Sequence, residues 1–265
     1  MAAAGVLTLG LGGCAADQEV APTGTDVAVS TEASVGAVSP TEAASGSTDA
    51  AAKTDAPANT NASAATEARN VTANLREPAA GDCPAADGSQ GQKRKFDGEQ
   101  PRCIDVTKKY KVTMETTKGT MTFELDPTNA PRTVNNFVTL AGFKYFDGIS
   151  FHRVVRGFVI QGGDPEGTGG GGPGYSFGDE LPRAGEYKVG SLAMANAGAN
   201  TNGSQFFIIT GAAGAALPPS YSLFGKLTSG EDVMKAIDLL GPDGADGPPS
   251  EPVSMIRVTA EAVEK

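Results

Sequence analysis

A mainly β fold, an antiparallel barrel closed on itself and capped at its ends, is what this chain of 265 residues predicts. Three observations carry the prediction. From about residue 109 onward, short runs alternate apolar and polar side chains with period two, the pattern of strands with one buried face. Only two stretches in that region show helical spacing. Residues 15–82, in contrast, contain no aromatic residue and are mostly Ala, Thr, Ser, Asp and Glu, which is not the composition of a packed domain.

The chain opens on a small apolar run, Met1 to Cys14, too short to span a bilayer and reading as the hydrophobic part of a secretory signal. Its end, Leu11-Gly12-Gly13-Cys14, resembles a bacterial lipobox. That resemblance implies lipidation of Cys14, a membrane anchor through the lipid, and a place on the outer face of the cytoplasmic membrane. Residues 15–82 cannot bury enough apolar surface to offset their ordering entropy and are expected to be a disordered tether. They also carry most of the acidity. Of the net charge of −10, residues 1–82 account for −7, from three Lys/Arg against ten Asp/Glu. A nearly neutral body argues against a nucleic-acid partner, which wants a basic face. The one basic cluster, Lys93-Arg94-Lys95, reads as a solvated loop. Cys83 and Cys103 flank this polar segment, 83–108. In an exported chain they are expected to form a disulfide closing about twenty residues, worth roughly 3 kcal/mol on the loop-entropy model. A single histidine in the whole chain leaves a zinc site short of ligands, so no metal is expected.

The domain proper is expected over 109–265. Residues 111–116 and 120–125 alternate around Lys118-Gly119 and predict a β-hairpin. The run Asp126-Pro127-Thr128-Asn129-Ala130-Pro131 offers helix-start signals, and Val134, Phe137, Val138, Leu140 and Ala141 recur at helical spacing until Gly142. Further strands are read at 190–196, 205–210, 222–227 and 253–263, and a second helix near Glu231 to Leu240. No heptads and no spare apolar strand point to a partner copy, so a monomer is expected.

The stretch from Phe151 to Asp164 holds the candidate chemistry. It reads as two short strands meeting at Gly157, with Phe151, Arg153 and Val155 on one face and Val159 and Gln161 together on the next run. A guanidinium set among apolar strands has a partner or a task. In 205–209, Phe206 and Ile208 can fill the interior, which turns Gln205, Phe207 and Ile209 outward; Phe158, Val159 and Ile160 pose the same problem. Large apolar residues on an outer face with a few polar groups among them describe a binding pocket.

These residues resemble a known family. Phe151-His152-Arg153-Val154-Val155 with Gly157-Phe158-Val159-Ile160-Gln161-Gly162-Gly163-Asp164 is similar to the signature of cyclophilin-type peptidyl-prolyl cis-trans isomerases. Ser191 to Gly198 and Asn200 to Ile208 resemble the family's second block in order and spacing, and the similarity runs from about Tyr110 to the C-terminus. The resemblance implies an eight-stranded barrel capped by two helices, an active site on its outer face, proline-containing polypeptides as partners, and no cofactor. It further implies Arg153, Gln161 and Phe158 in catalysis, Gln161 holding the substrate carbonyl or orienting Arg153, with Val159, Phe207 and Leu217 joining Phe158 to grip the proline ring. Asn196 would pair its backbone with the substrate, and Ala195, Ala197 and Gln205 would line the groove. By strand alternation His152 points to the face opposite Arg153 and is expected to be structural. The segment Leu217-Pro218-Pro219-Ser220-Tyr221 looks like the family's bacterial variant, with Tyr221 at the rim and no Trp anywhere in the chain. The missing indole implies weaker binding of cyclosporin.

The chemistry such a site needs is modest. The bond before proline is planar by resonance, with a rotation barrier of roughly 18–20 kcal/mol. Rotating it requires no nucleophile, proton transfer or metal, only a site that prefers the twisted amide. A fixed guanidinium, charged at all relevant pH, suits that task. Other readings fit less well. Gly167 to Gly174 lacks the Gly-Lys-Ser/Thr ending of a phosphate loop, and no Gly-x-Ser-x-Gly elbow accompanies His152. The remaining alternative is a peptide-holding chaperone module on the same fold with little catalysis.

Overall fold

The computed structural model describes residues 75–85 and 88–263. The expected lipidation site Cys14 and most of the expected tether lie outside these residues. Among these residues, eight strands and three helices follow in the order β1 (Lys109–Thr116), β2 (Gly119–Leu125), α1 (Pro131–Gly142), β3 (Arg153–Val155), β4 (Val159–Gly162), β5 (Ser191–Met194), β6 (Phe206–Ile209), α2 (Ala212–Ala215), β7 (Leu223–Ser229), α3 (Glu231–Asp238) and β8 (Met255–Val263). All eight strands join one antiparallel sheet in the order β3-β4-β6-β5-β7-β2-β1-β8.

The alternation read in the sequence is what builds the sheet's inner face. Val112, Met114, Met121, Phe123, Leu125, Ile160, Leu192, Met194, Phe206 and Ile208 fall in one core. Into it α1 sends Val134, Phe137 and Leu140, and α3 sends Met234 and Ile237. Phe137 is the hub, its ring centroid 5.5 Å from Phe206, 5.3 Å from Phe224 and 4.7 Å from Phe146.

The barrel differs from the expectation in its closure. No ladder joins the end strands β3 and β8; the sheet curls, and the seam carries an isolated bridge between Ser150 and Ser254. Two flanking backbone bonds, Phe151 N–H to the Val253 carbonyl and Met255 N–H to the Ile149 carbonyl, extend it. The reason is length: β3 has three residues, and its outer edge is taken at Val154 by a bridge to Gly247. The same shortness corrects a second expectation. Phe151 precedes β3 and escapes its alternation, so it sits in the inner core against Phe206 rather than beside Arg153. The one-turn helix α2 was not legible, since Ala-Ala-Gly-Ala has no apolar periodicity.

The polar segment ahead of β1 is a strap across the outer side of α1. Cys83 and Cys103 are joined in a disulfide with Cα atoms 5.4 Å apart. Cys103 N–H donates to the Asn135 side chain, whose amide donates to the Pro101 carbonyl. Phe96 is buried and its N–H donates to the Pro173 carbonyl. Contacts begin ahead of residue 83: Leu75 is buried, and the Arg76 carbonyl accepts from Arg102 N–H.

Candidate active site

A cross-strand row places the charged and apolar parts of the site side by side. The registers Arg153 opposite Gln161, Gln161 opposite Phe207 and Phe207 opposite Ala193 run from β3 through β4 and β6 to β5. Directly opposed residues lie about 4.5–5.5 Å apart and share a face, so all four stand on the side away from the inner core. The turn between β3 and β4 is made possible by Gly157, at φ 70°. Gly163, just past β4, has φ 86°, and a Cβ there would lie 2.3 Å from the Ser204 carbonyl oxygen, so only glycine permits this approach of β4 to β6.

The apolar half of the site is a second cluster separate from the core. Val159, Ala193, Phe207, Ile209 and Tyr187 are buried, with Phe158, Ala195, Leu217 and Tyr221 packed against them. Phe207 meets Tyr221 edge to face at 5.2 Å. Six residues expected from the sequence thus come together: Phe158, Val159, Ala195, Phe207, Leu217 and Tyr221. Tyr187 was missed, lying in an irregular loop without periodicity. It holds Tyr221 in place, donating its hydroxyl to the Tyr221 carbonyl at 2.6 Å and accepting from Tyr221 N–H at 3.0 Å. Burial pushes its phenol pKa up.

The polar half is a chain of side-chain hydrogen bonds. Arg153 Nη1 donates to Gln161 Oε1 at 3.0 Å, Gln161 Nε2 to Gln205 Oε1 at 3.0 Å, and Gln205 Nε2 to the carbonyls of Gly169 and Gly171, each at 2.9 Å. Asp164 organises that glycine loop, accepting from the N–H groups of Glu166, Thr168, Gly169 and Gly171. Burial works to raise its pKa, but these backbone donors outweigh it and hold the carboxyl below its ordinary value. Beside the chain opens a cavity of about 640 Å³ lined by Gln161, Ala195, Asn196, Ala197, Gln205 and the glycine loop. Ala197 N–H is taken by the Thr201 hydroxyl, and the Asn196 side chain by the Ser220 carbonyl. No bond to the Asn196 backbone is present among the described residues, which leaves it open to an added chain.

Arg153 has a partner as well as a setting. Its Nε and Nη2 reach the Asp246 carboxylate at 2.7–2.9 Å, from a Gly- and Pro-rich loop 93 residues on. Nothing in the sequence pattern marks Asp246. His152 is half-buried with neither ring nitrogen bonded among the described residues. Burial holds its pKa below the ordinary histidine value. No group of three or more His, Cys, Asp or Glu that could hold a metal occurs among the described residues.

An apolar slot flanked by a fixed guanidinium and a free backbone edge defines a site for an extended polypeptide. Comparison with known proteins gives the class. The model of the cyclophilin type peptidyl-prolyl cis-trans isomerase family matches residues 111–260. The peptidyl-prolyl cis-trans isomerase-like 1 of Neurospora crassa is 46% identical over 144 residues, 53% of this chain and 88% of that protein. A putative peptidyl-prolyl cis-trans isomerase of Staphylococcus haemolyticus is 58% identical over 102 residues, 37% of this chain and 52% of that relative, about half its length. A cyclophilin type isomerase of Cryptosporidium parvum, solved in the presence of the dipeptide Ala-Pro, superposes with a TM-score of 0.52 at 34% identity, covering 58% of this chain and 99% of that one. The chain belongs to the cyclophilin-type peptidyl-prolyl cis-trans isomerase family, and it is an isomerase acting on proline-containing peptides.

Proposed function

We propose that this protein accelerates X–Pro rotation in exported polypeptides, with Arg153 stabilising the twisted amide while the proline ring rests in the outer apolar slot. The row Arg153–Gln161–Phe207 is the observation that carries this reading. In the planar ground state the proline nitrogen's lone pair is delocalised and accepts nothing; on twisting it localises and becomes an acceptor. A donor held over the slot therefore binds the transition state better than the substrate, which is what acceleration requires. Of the five guanidinium N–H groups, three are engaged by Asp246 and Gln161 among the described residues, which leaves two for the substrate. Phe158, Val159, Phe207 and Leu217 grip the ring, the open Asn196 backbone pairs with the substrate chain, and Gln161 holds Arg153 in place.

The exported setting is part of the same proposal. A Cys83–Cys103 disulfide belongs to an oxidising compartment, and a lipid on Cys14 would hold the protein at the outer face of the cytoplasmic membrane. Exchange NMR on an Ala-Pro peptide tests the catalytic reading: a small fraction of the full chain should broaden and merge the cis and trans signals. A chain that binds the peptide yet leaves their exchange at the uncatalysed rate would refute it in favour of peptide holding. Palmitate labelling of the protein expressed in a bacterium, lost on Cys14→Ala, tests the anchor.

A further inference from the structure

We infer that Asp246 is a positioning residue for the isomerisation, clamping the Arg153 guanidinium from the side opposite Gln161; this inference rests on the catalytic reading of Arg153. The clamp is built by backbone. Val154 N–H donates to the Gly247 carbonyl at 2.8 Å, an isolated antiparallel bridge that seats Gly247 against the outer edge of β3. Neighbours of a bridged pair point to the opposite face from the pair itself, so Asp246 emerges on the same face as Arg153. Further ties fix the segment: Arg156 donates to the Leu239 and Gly241 carbonyls and pairs with Asp243, and Ser250 N–H donates to the Leu240 carbonyl at 2.7 Å. The carboxylate then meets Nε and Nη2 together, the two-pronged geometry that fixes a guanidinium's plane as well as its place.

The need for such a clamp follows from exposure. The Arg153 side chain is 32% exposed and Asp246 56% exposed, and a long side chain with one bond to Gln161 would sample several rotamers. With Asp246 on one edge and Gln161 on the other, the free N–H groups have a single direction. Exposed ion pairs add little to stability, so removing this one should leave the fold intact. A rival effect runs the other way: the carboxylate neutralises part of the charge offered to the substrate, and if that dominated, removing it would speed the reaction.

Asp246→Ala separates the two. In the full chain it should lower kcat/KM for an Ala-Pro peptide by about tenfold, as expected when a catalytic group loses its alignment. Peptide affinity and Tm should stay unchanged, and the Arg153 Nε–H signal in 15N NMR should lose its protection from exchange. An unchanged or raised kcat/KM overturns the inference, and so does a loss matched by an equal loss of peptide affinity or of Tm. Retained activity in Arg153→Ala would instead overturn the catalytic reading beneath it, whatever Asp246 does.

Discussion

Gln161→Leu removes the centre of the polar chain while keeping the volume of the side chain. Two bonds are lost: the one from Arg153 Nη1 and the one to Gln205 Oε1, each 3.0 Å long. The first is charge-assisted and of the class worth about 1.5–3 kcal/mol net, the second of the class worth about 0.5–1.5 kcal/mol. Gln161 is half-buried, so both values are discounted toward their lower ends. Arg153 keeps Asp246 and does not leave the site, so the loss falls on alignment. We expect kcat/KM for an Ala-Pro peptide to drop about tenfold, with stability lower by about 2 kcal/mol in urea unfolding. The apolar slot is untouched, so peptide affinity should hold. A Gln161→Leu protein with wild-type kcat/KM would refute the claim that this bond positions the guanidinium. A loss appearing only as weakened peptide binding would refute it equally, because Gln161 would then be a substrate contact alone.

Phe207→Ala should remove the floor of the slot: about 3 kcal/mol of stability in chemical unfolding and on the order of 10- to 100-fold in peptide affinity, Tyr221 losing its edge-to-face partner. Breaking the staple with Cys83→Ser and Cys103→Ser should cost about 3 kcal/mol, lowering Tm by roughly 6–12 °C; addition of reductant should move the wild type toward the same Tm. His152, held below the ordinary histidine value by burial, with Asp164 opposing and Arg153 reinforcing the shift, gives stability a pH dependence. Below the unfolded value near 6.5 the unfolded chain binds a proton that the folded chain resists. Stability measured by urea unfolding should therefore fall between pH 7 and pH 5, and His152→Leu should flatten that part of the profile.

What the sequence made legible was whatever depends on local period. The alternation in 205–209 separated Phe206 and Ile208, which face the core, from Phe207 and Ile209, which face the slot. What it hid depends on distant chain. The helix-start signals before α1 illustrate this: Asp126 caps only a turn at Thr128, while the first N–H groups of α1, at Arg132 and Thr133, are capped by the Glu180 carboxylate. Burial raises the Glu180 pKa against those bonds, a conflict no local pattern signals. Asp246 and Tyr187 reach the site from irregular loops for the same reason. Alternation also misled at Phe151, because it was extended past the end of a three-residue strand.

The central claim, a guanidinium aimed at the localised nitrogen lone pair, is tested most directly by Arg153→Ala in the exchange assay. Loss of a charged hydrogen bond made only in the twisted state should cut kcat/KM on the order of 10- to 100-fold, with Ala-Pro peptide affinity within about threefold of wild type. Isomerisation at the wild-type rate in that variant would contradict the account, since the slot alone would then be enough to turn the bond.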